Sequence, residues 1–469
     1  MEYLSRLMVE ATGFPGFKYH PLFRGIKLTH LMFVDDLLLF CKGDIKSVII
    51  MLEVVQCFSN VSGLTISSEK SDIILNGIDC DTVGAILDHT GFKKCSLPFK
   101  YLGVKISHKS LTKNDCNVLV DRMVQKIRGW NKKKISYTGR LTLVKVVLST
   151  IHTYWSQLFI LPAGVMERIQ TLCRNFLWEG GEDYTKAPLV AWSVLCKGKD
   201  EGGLGLVDLM TWNIAAIGKL VWWIAKKKDH LWIQWVDRIY MKGRSWLDYQ
   251  PTAASSWALR KIWEVKKKFQ DAYSQGKWMT DGDDYTIAKG YAWLVQGTPK
   301  VQWYKSVWNR FNIKRHCFIQ WLIKHERLLT LDRVHKMGVT QSTRCYICGV
   351  ADETHKHLFQ DCVYVIKCYR ELYAWLGVYD KKKQVVSADE VLKQRGWSGF
   401  VRLVTCTLMV ALQYNIWQTR NICRLDGMVP QPETLLKRIK NEYKLRLMAV
   451  SKGVMKQQDI VWCQNRGLM

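Results

Sequence analysis

Leu31-Met32-Phe33-Val34-Asp35-Asp36-Leu37-Leu38-Leu39-Phe40 sets two adjacent carboxylates between two short apolar runs. Each run, 31–34 and 37–40, reads as a buried strand: too short for a helix and rich in large apolar side chains. Two charges buried there are costly unless something pairs with them. In one continuous strand their side chains would point to opposite faces. A tight turn between two strands is therefore expected, where both carboxylates can reach one hard cation that takes oxygen ligands. The plainer alternative is an ordinary surface Asp-Asp turn. Against it stand the apolar flanks, with no Gly, Pro or Asn beside the pair.

Around this stretch the chain is long and strongly basic. Its 469 residues predict two or three domains and a sizeable core. With 48% hydrophobic and 23% charged residues it has the make-up of a folded, soluble protein. A net charge of +28 points to a polyanionic partner, RNA or DNA above all. The charge is concentrated: residues 122–166 hold eight basic side chains and no acid, among them Lys126, Arg128, Lys132, Lys133, Lys134, Arg140 and Lys145. A stretch of that length without an acid favours phosphate contact over a merely solvated face. Fifteen cysteines in a chain of this size, with no signal peptide, imply a reducing intracellular compartment where most serve as small buried apolar residues. The uncharged stretches 146–166 and 403–419 are interrupted by polar residues and read as buried helices, so no membrane partner is expected.

Four segments are expected. Residues 1–107 alternate strand-like and helix-like patterns, and 108–280 are mainly helical with many tryptophans that read as core. Residues 281–378 form a small helical module, and after Lys381-Lys382-Lys383, read as a linker, 379–469 return to helical periodicity. Gly202-Gly203-Leu204-Gly205 lacks the Lys and strand-helix setting of a phosphate loop and reads as a turn. The fold class is α+β.

A second constellation lies in the third segment. Cys345-x2-Cys348 is followed by His357 and Cys362, a spacing that suits tetrahedral Zn²⁺, since a two-residue gap lets one turn supply two thiolates. On an ideal helix His357 and Cys362 would diverge by roughly 140°, so one of them must lie off the helix. His355 competes with His357 as ligand, and Cys368 is a weaker reserve.

Phe33-Val34-Asp35-Asp36 resembles the aromatic-x-Asp-Asp box of reverse transcriptases, specifically those of the LINE-type (non-LTR) retrotransposons of plants. Downstream segments resemble the same family in the same order: Ser62-Gly63-Leu64-Thr65-Ile66 with Glu69-Lys70-Ser71, Leu97-Pro98-Phe99-Lys100-Tyr101-Leu102-Gly103, Thr138-Gly139-Arg140-Leu141-Thr142-Leu143 and Glu201-Gly202-Gly203-Leu204-Gly205. The resemblance implies a partial polymerase palm in which Asp35 and Asp36 hold catalytic Mg²⁺. It places Lys70 near the incoming nucleotide and Tyr101 and Gly103 against the primer end, with a helical thumb or connection after the palm. The family's third metal-binding Asp, and its fingers, would precede Asp35. Met1 to Arg6 resembles the helix just after the family's template-contacting Gln-Gly box, which follows them, so the chain is expected to begin mid-palm and to be inactive alone.

Tyr285 to Tyr291, Trp303 to Trp308, Arg327 to Arg333 and His357-Leu358-Phe359-Gln360-Asp361-Cys362 resemble the zinc-binding domain downstream of such polymerases. That resemblance implies Cys345, Cys348, His357 and Cys362 as ligands of a structural zinc. Ile416-Trp417-Gln418-Thr419-Arg420-Asn421 resembles the segment that precedes an RNase H domain in relatives. Three functions compete: RNA-directed DNA polymerase chemistry, noncatalytic nucleic-acid binding, and a decayed retroelement product without a selected role.

Overall fold

The computed structural model describes residues 2–131, 135–183, 187–280, 282–377, 387–450 and 455–468. Lys132, Lys133 and Lys134, and the linker triplet Lys381 to Lys383, lie outside them. Among the described residues helices dominate, and strand is confined to three two-stranded sheets. The chain divides into two compact units, each drawn from separated stretches.

One unit comprises Met1–Leu119, His152–Met166 and Met210–Val295. The helix Ile45–Ser62 starts where the Asp44 side chain accepts the Ser47 N–H at 3.1 Å, and ends at Gly63, left-handed at φ +72°. Its Met51, Val54, Val55 and Phe58 pack with Leu4, Met8 and Ala11 of the helix Glu2–Ala11. Onto this small core the first strand pair, β1 (His30–Phe33) and β2 (Asp36–Leu39), lays Met32, Leu37 and Leu39. β3 (Asp72–Ile73) and β4 (Lys93–Lys94) pair in parallel, and β5 (Phe99–Tyr101) and β6 (Val104–Ile106) pair antiparallel. A larger core centres on Trp222, Phe269 and Trp278, with Trp222 stacked on Tyr273 at 4.5 Å between centroids. The tryptophans expected to be core are so at Trp155, Trp178 and Trp222, while Trp232 is exposed.

The other unit comprises Val120–Ile151, Glu167–Leu209 and Gln296–Met469. At its centre the helix Lys314–Lys324 is buried from His316 to Ile323 and packs on Tyr137–Val146 and on the long helix Gly399–Asp426. The glycine cluster is a turn for a steric reason. A Cβ on Gly203 would sit 2.1 Å from the Lys197 carbonyl oxygen, and Gly202 holds φ +91°. The freed Gly202 carbonyl accepts from Trp321 Nε1 at 2.8 Å and contacts His325 Nε2 at 2.7 Å. Among the described residues two helices, Ile45–Ser62 and Gly399–Asp426, are long and apolar enough to cross a membrane, but 67% of the apolar window in the second is buried inside the protein. Residues 403–419 are thus part of a core helix. Residues 146–166 are broken into short helical pieces.

Candidate metal centre and nucleic-acid interface

Cys345 and Cys348 are presented by a tight turn. The Gly349 N–H donates to the Cys345 carbonyl at 2.8 Å, and Gly349 takes φ +67°. A bridge between Arg344 and Asp352, and the Cys345 N–H on the Ala351 carbonyl at 2.9 Å, close the loop behind it. The other pair comes from a π turn, His357–Asp361, whose start is capped by the Thr354 hydroxyl accepting the His357 N–H at 3.0 Å. The Cys362 N–H reaches back to the His357 carbonyl at 2.8 Å. That five-residue ring resolves the expected divergence: Cys362 leaves the turn as the extended N-cap of the helix Val363–Leu376 and returns to the side of His357.

The four ligand atoms of Cys345, Cys348, His357 and Cys362 all lie within 4.8 Å of one another, and Cys348 Sγ is 3.3 Å from His357 Nε2. Tetrahedral zinc with Zn–S of about 2.3 Å puts its sulfurs about 3.8 Å apart. The donor set therefore fits zinc in chemistry and spacing, and a closed set of four is that of a structural site. Among the described residues it is the one such cluster of three or more His, Cys, Asp or Glu side chains. Cys345 and Cys362 are buried side by side. Donation from the Cys345 thiol, helped by the backbone N–H groups of Val365 and Tyr364, holds Cys362 below the ordinary cysteine value and drives Cys345 above it. His355 and Cys368 lie outside the cluster: the His355 ring packs on Phe359 at 5.0 Å, and Cys368 lies buried on the helix Val363–Leu376.

Asp35 and Asp36 sit at the end of a β-hairpin. β1 and β2 pair from His30↔Leu39 to Phe33↔Asp36, leaving Val34 and Asp35 as the two-residue loop. Val34 takes φ +56°, a costly conformation for a β-branched residue. Both carboxylates are exposed. The flanking strands are not buried as expected: Leu31 is 39%, Phe33 56% and Val34 76% exposed. A two-stranded sheet covers one face only, so Met32, Leu37 and Leu39 reach the core while Leu31 and Phe33 face away from it.

The strand bearing Tyr101 does not join that sheet; β5 pairs with β6 alone. Its turn, Leu102 at φ +46° and Gly103 at φ +77°, has the two left-handed positions of a tight hairpin. Tyr101 nonetheless lies within electrostatic reach of Asp36. Burial first, then the Asp36 charge, raises its phenol above the usual value. The Tyr154 hydroxyl closes the turn on the Leu102 carbonyl at 3.3 Å. Lys70 is exposed on the short turn Ser68–Lys70.

The basic stretch separates into two kinds of cation. Lys126 and Arg128 are exposed on the helix Asn117–Asn131, with Arg128 paired to Glu182 at 2.8 Å. Arg140 is bound inward: Nε donates to the Ile135 carbonyl at 3.1 Å, Nη1 to the Leu177 carbonyl at 3.2 Å, and the guanidinium lies over Tyr137. Lys145 donates to the Leu204 carbonyl at 2.5 Å, and burial, with Lys199 adding, pulls its ammonium down to about 8. A cluster that sequence reasoning missed is the buried pair of Glu353 and Arg420.

Comparison with known proteins agrees with this geometry. Residues 8–106 match the family "Reverse transcriptase (RNA-dependent DNA polymerase)". Residues 285–368 match "zinc-binding in reverse transcriptase". A protein of Arabidopsis thaliana named "Putative ribonuclease H protein" is 29% identical over 201 residues, 42% of this chain and 32% of that protein. An uncharacterized mitochondrial protein of the same plant is 28% identical over 148 residues, 31% of this chain and 94% of that one. The chain thus spans about a third of the length of the first relative. Hairpin and Cys/His cluster fall within the two matched segments: residues 8–106 are similar to reverse transcriptases and residues 285–368, downstream, to the zinc-binding domain found in them.

Proposed function

We propose that this chain is the nucleic-acid-handling part of a retroelement RNA-directed DNA polymerase of the plant LINE-type lineage, organised around a structural zinc held by Cys345, Cys348, His357 and Cys362. The convergence of those four ligand atoms within 4.8 Å, inside the segment that matches the zinc-binding family, carries the reading. In it, residues 1–107 are palm, 108–280 thumb or connection, and the zinc module holds its neighbouring basic surface in register for RNA or DNA. The charge of +28 supports a phosphate partner, and the motif order with Arabidopsis relatives supports the lineage.

A second reading, DNA synthesis, is favoured by one observation: Asp35 and Asp36 stand exposed at a hairpin end. Bound Mg²⁺ would supply charge stabilisation to the reacting phosphate there, with Lys70 beside the nucleotide. Two-metal chemistry needs both ions fixed, and no third carboxylate converges with the pair among the described residues, so binding without synthesis is expected of this chain alone. The experiment is to purify the full chain, measure zinc per chain, and follow RNA and DNA binding against salt together with primer extension. About one zinc and a steep salt dependence support the proposal. A zinc-free folded chain, or binding indifferent to salt, would overturn it. Primer extension abolished by Asp35→Ala would establish the second reading.

A further inference from the structure

The Trp417-to-Asn421 stretch of the long helix closes on the zinc loops through one guanidinium. Arg420, 3% exposed, donates to Glu353 Oε1 from Nε at 2.8 Å and from Nη2 at 2.7 Å, and Glu353 is fully buried. Glu353 stands in the loop between Cys348 and His357, between the two halves of the ligand set. The same carboxylate oxygen accepts the Leu331 N–H at 3.1 Å, and the Glu353 backbone N–H reaches the Thr343 carbonyl at 2.7 Å, just before Cys345. Arg420 also donates to the Leu329 carbonyl at 3.3 Å. Its guanidinium lies 5.2 Å from the ring centre of Tyr346, inside the Cys345–Cys348 turn, and 5.0 Å from that of Trp417.

We propose that Arg420 is a positioning residue of the metal centre: through Glu353 and Tyr346 it holds both halves of the ligand set in register. The zinc-binding module then includes the C-terminal turns of the helix Gly399–Asp426, well beyond residue 368 where the family match ends. This rests on the reading that the Cys/His cluster holds zinc. The physical reason is that four ligands from two separate turns converge only if the loop joining them keeps one shape. Here that loop is pinned by a buried ion pair, two guanidinium N–H groups meeting one carboxylate oxygen, instead of by regular secondary structure. Coupling is reciprocal, so metal binding protects the helix end as much as the helix supports metal binding.

The test uses the full chain loaded with Co²⁺, whose visible absorption reports thiolate coordination, followed by competition with Zn²⁺. Arg420→Met and Glu353→Gln are expected to weaken zinc affinity about 10–100-fold, with Arg420→Lys in between, because an ammonium keeps the charge but loses the paired N–H groups. Tyr346→Leu, at a partly exposed position that leaves the ion pair intact, should weaken it less and keeps the test open if the buried variants do not fold. Val410→Ala, buried on the same helix, should lower thermal stability yet leave zinc affinity within threefold. Chelating the metal from wild type should raise amide exchange at 415–426. Folded Arg420→Met and Tyr346→Leu chains with wild-type zinc affinity would overturn the inference. A wild-type chain giving no thiolate–cobalt absorption would instead remove the zinc reading beneath it.

Discussion

Replacing Cys348 by Ser removes one of four convergent ligands and should separate a structural zinc centre from a chance gathering of thiols. Structural zinc contributes roughly 10–16 kcal/mol of apparent binding energy in small zinc modules. An even share per ligand is about 2.5–4 kcal/mol, or roughly 100- to 1,000-fold in affinity. The loop offers little to soften that loss. Cys348 lies 3.3 Å from His357 and belongs to a turn held by the Gly349–Cys345 backbone bond, so a shorter serine oxygen cannot advance to the metal without moving the turn. Because the metal stabilises only the folded chain, the same energy appears as a fall in melting temperature of roughly 5–15 °C for a unit of this size at saturating zinc. Competition with a chromophoric chelator gives the affinity, and melting with and without chelator gives the linkage. His355→Asn and Cys368→Ser serve as controls, since neither side chain joins the cluster, and both should keep stoichiometric zinc. Zinc affinity within threefold of wild type in Cys348→Ser would refute the four-ligand centre, as would a larger loss in His355→Asn than in His357→Asn.

Lys126→Gln with Arg128→Gln should flatten the log–log salt dependence of nucleic-acid binding by roughly 1–2, since each phosphate left unneutralised takes about 0.7–0.9 from the slope. Lys145→Gln should leave the slope alone, because that ammonium already faces the Leu204 carbonyl; a larger effect from Lys145 would reverse the assignment. Acid should weaken folding through His316, whose ring burial, with Arg315 and Arg438 adding, lowers to about 3 in spite of Glu442 nearby. Its ordinary value is 6.5, so the unfolded chain takes the proton first. The contribution is complete above pH 6.5 and is lost progressively between 6.5 and 3, about 2 kcal/mol by pH 5. Denaturant titrations of wild type and His316→Gln between pH 7 and 5 should differ in slope by about one proton, and parallel slopes would disprove it. Gly203→Ala should destabilise by about 1–3 kcal/mol or prevent folding, since its Cβ would meet the Lys197 carbonyl at 2.1 Å. Gly84→Ala, mid-helix in open space, should stabilise by up to about 1 kcal/mol; equal melting temperatures for the two variants would contradict this.

How far a feature is legible in the sequence depends on the range of the interactions that make it. The Cys-x2-Cys turn and the Asp-Asp hairpin are local objects: their geometry is set by a handful of adjacent residues, and both stand where their spacing placed them. Burial is not local. Leu31 and Phe33 have the composition of core, yet whether a strand face is covered depends on what packs there. Here the helices Glu2–Ala11 and Ile45–Ser62 cover only the face of Met32, Leu37 and Leu39. The same limit governs the cations. Arg140 and Lys145 look like Lys126 in a charge count, but their hydrogen bonds end on Leu177 and Leu204, carbonyls far along the chain that no residue pattern announces. Glu353 shows the limit most sharply. In sequence it is one acid in a polar run between ligand pairs; in the fold it is wholly buried, and the arginine that makes that burial tolerable lies in a helix distant along the chain. A buried carboxylate of this kind is costly unless paired, so its position between the two ligand pairs makes the metal loop dependent on a residue that the spacing of Cys and His could never have named.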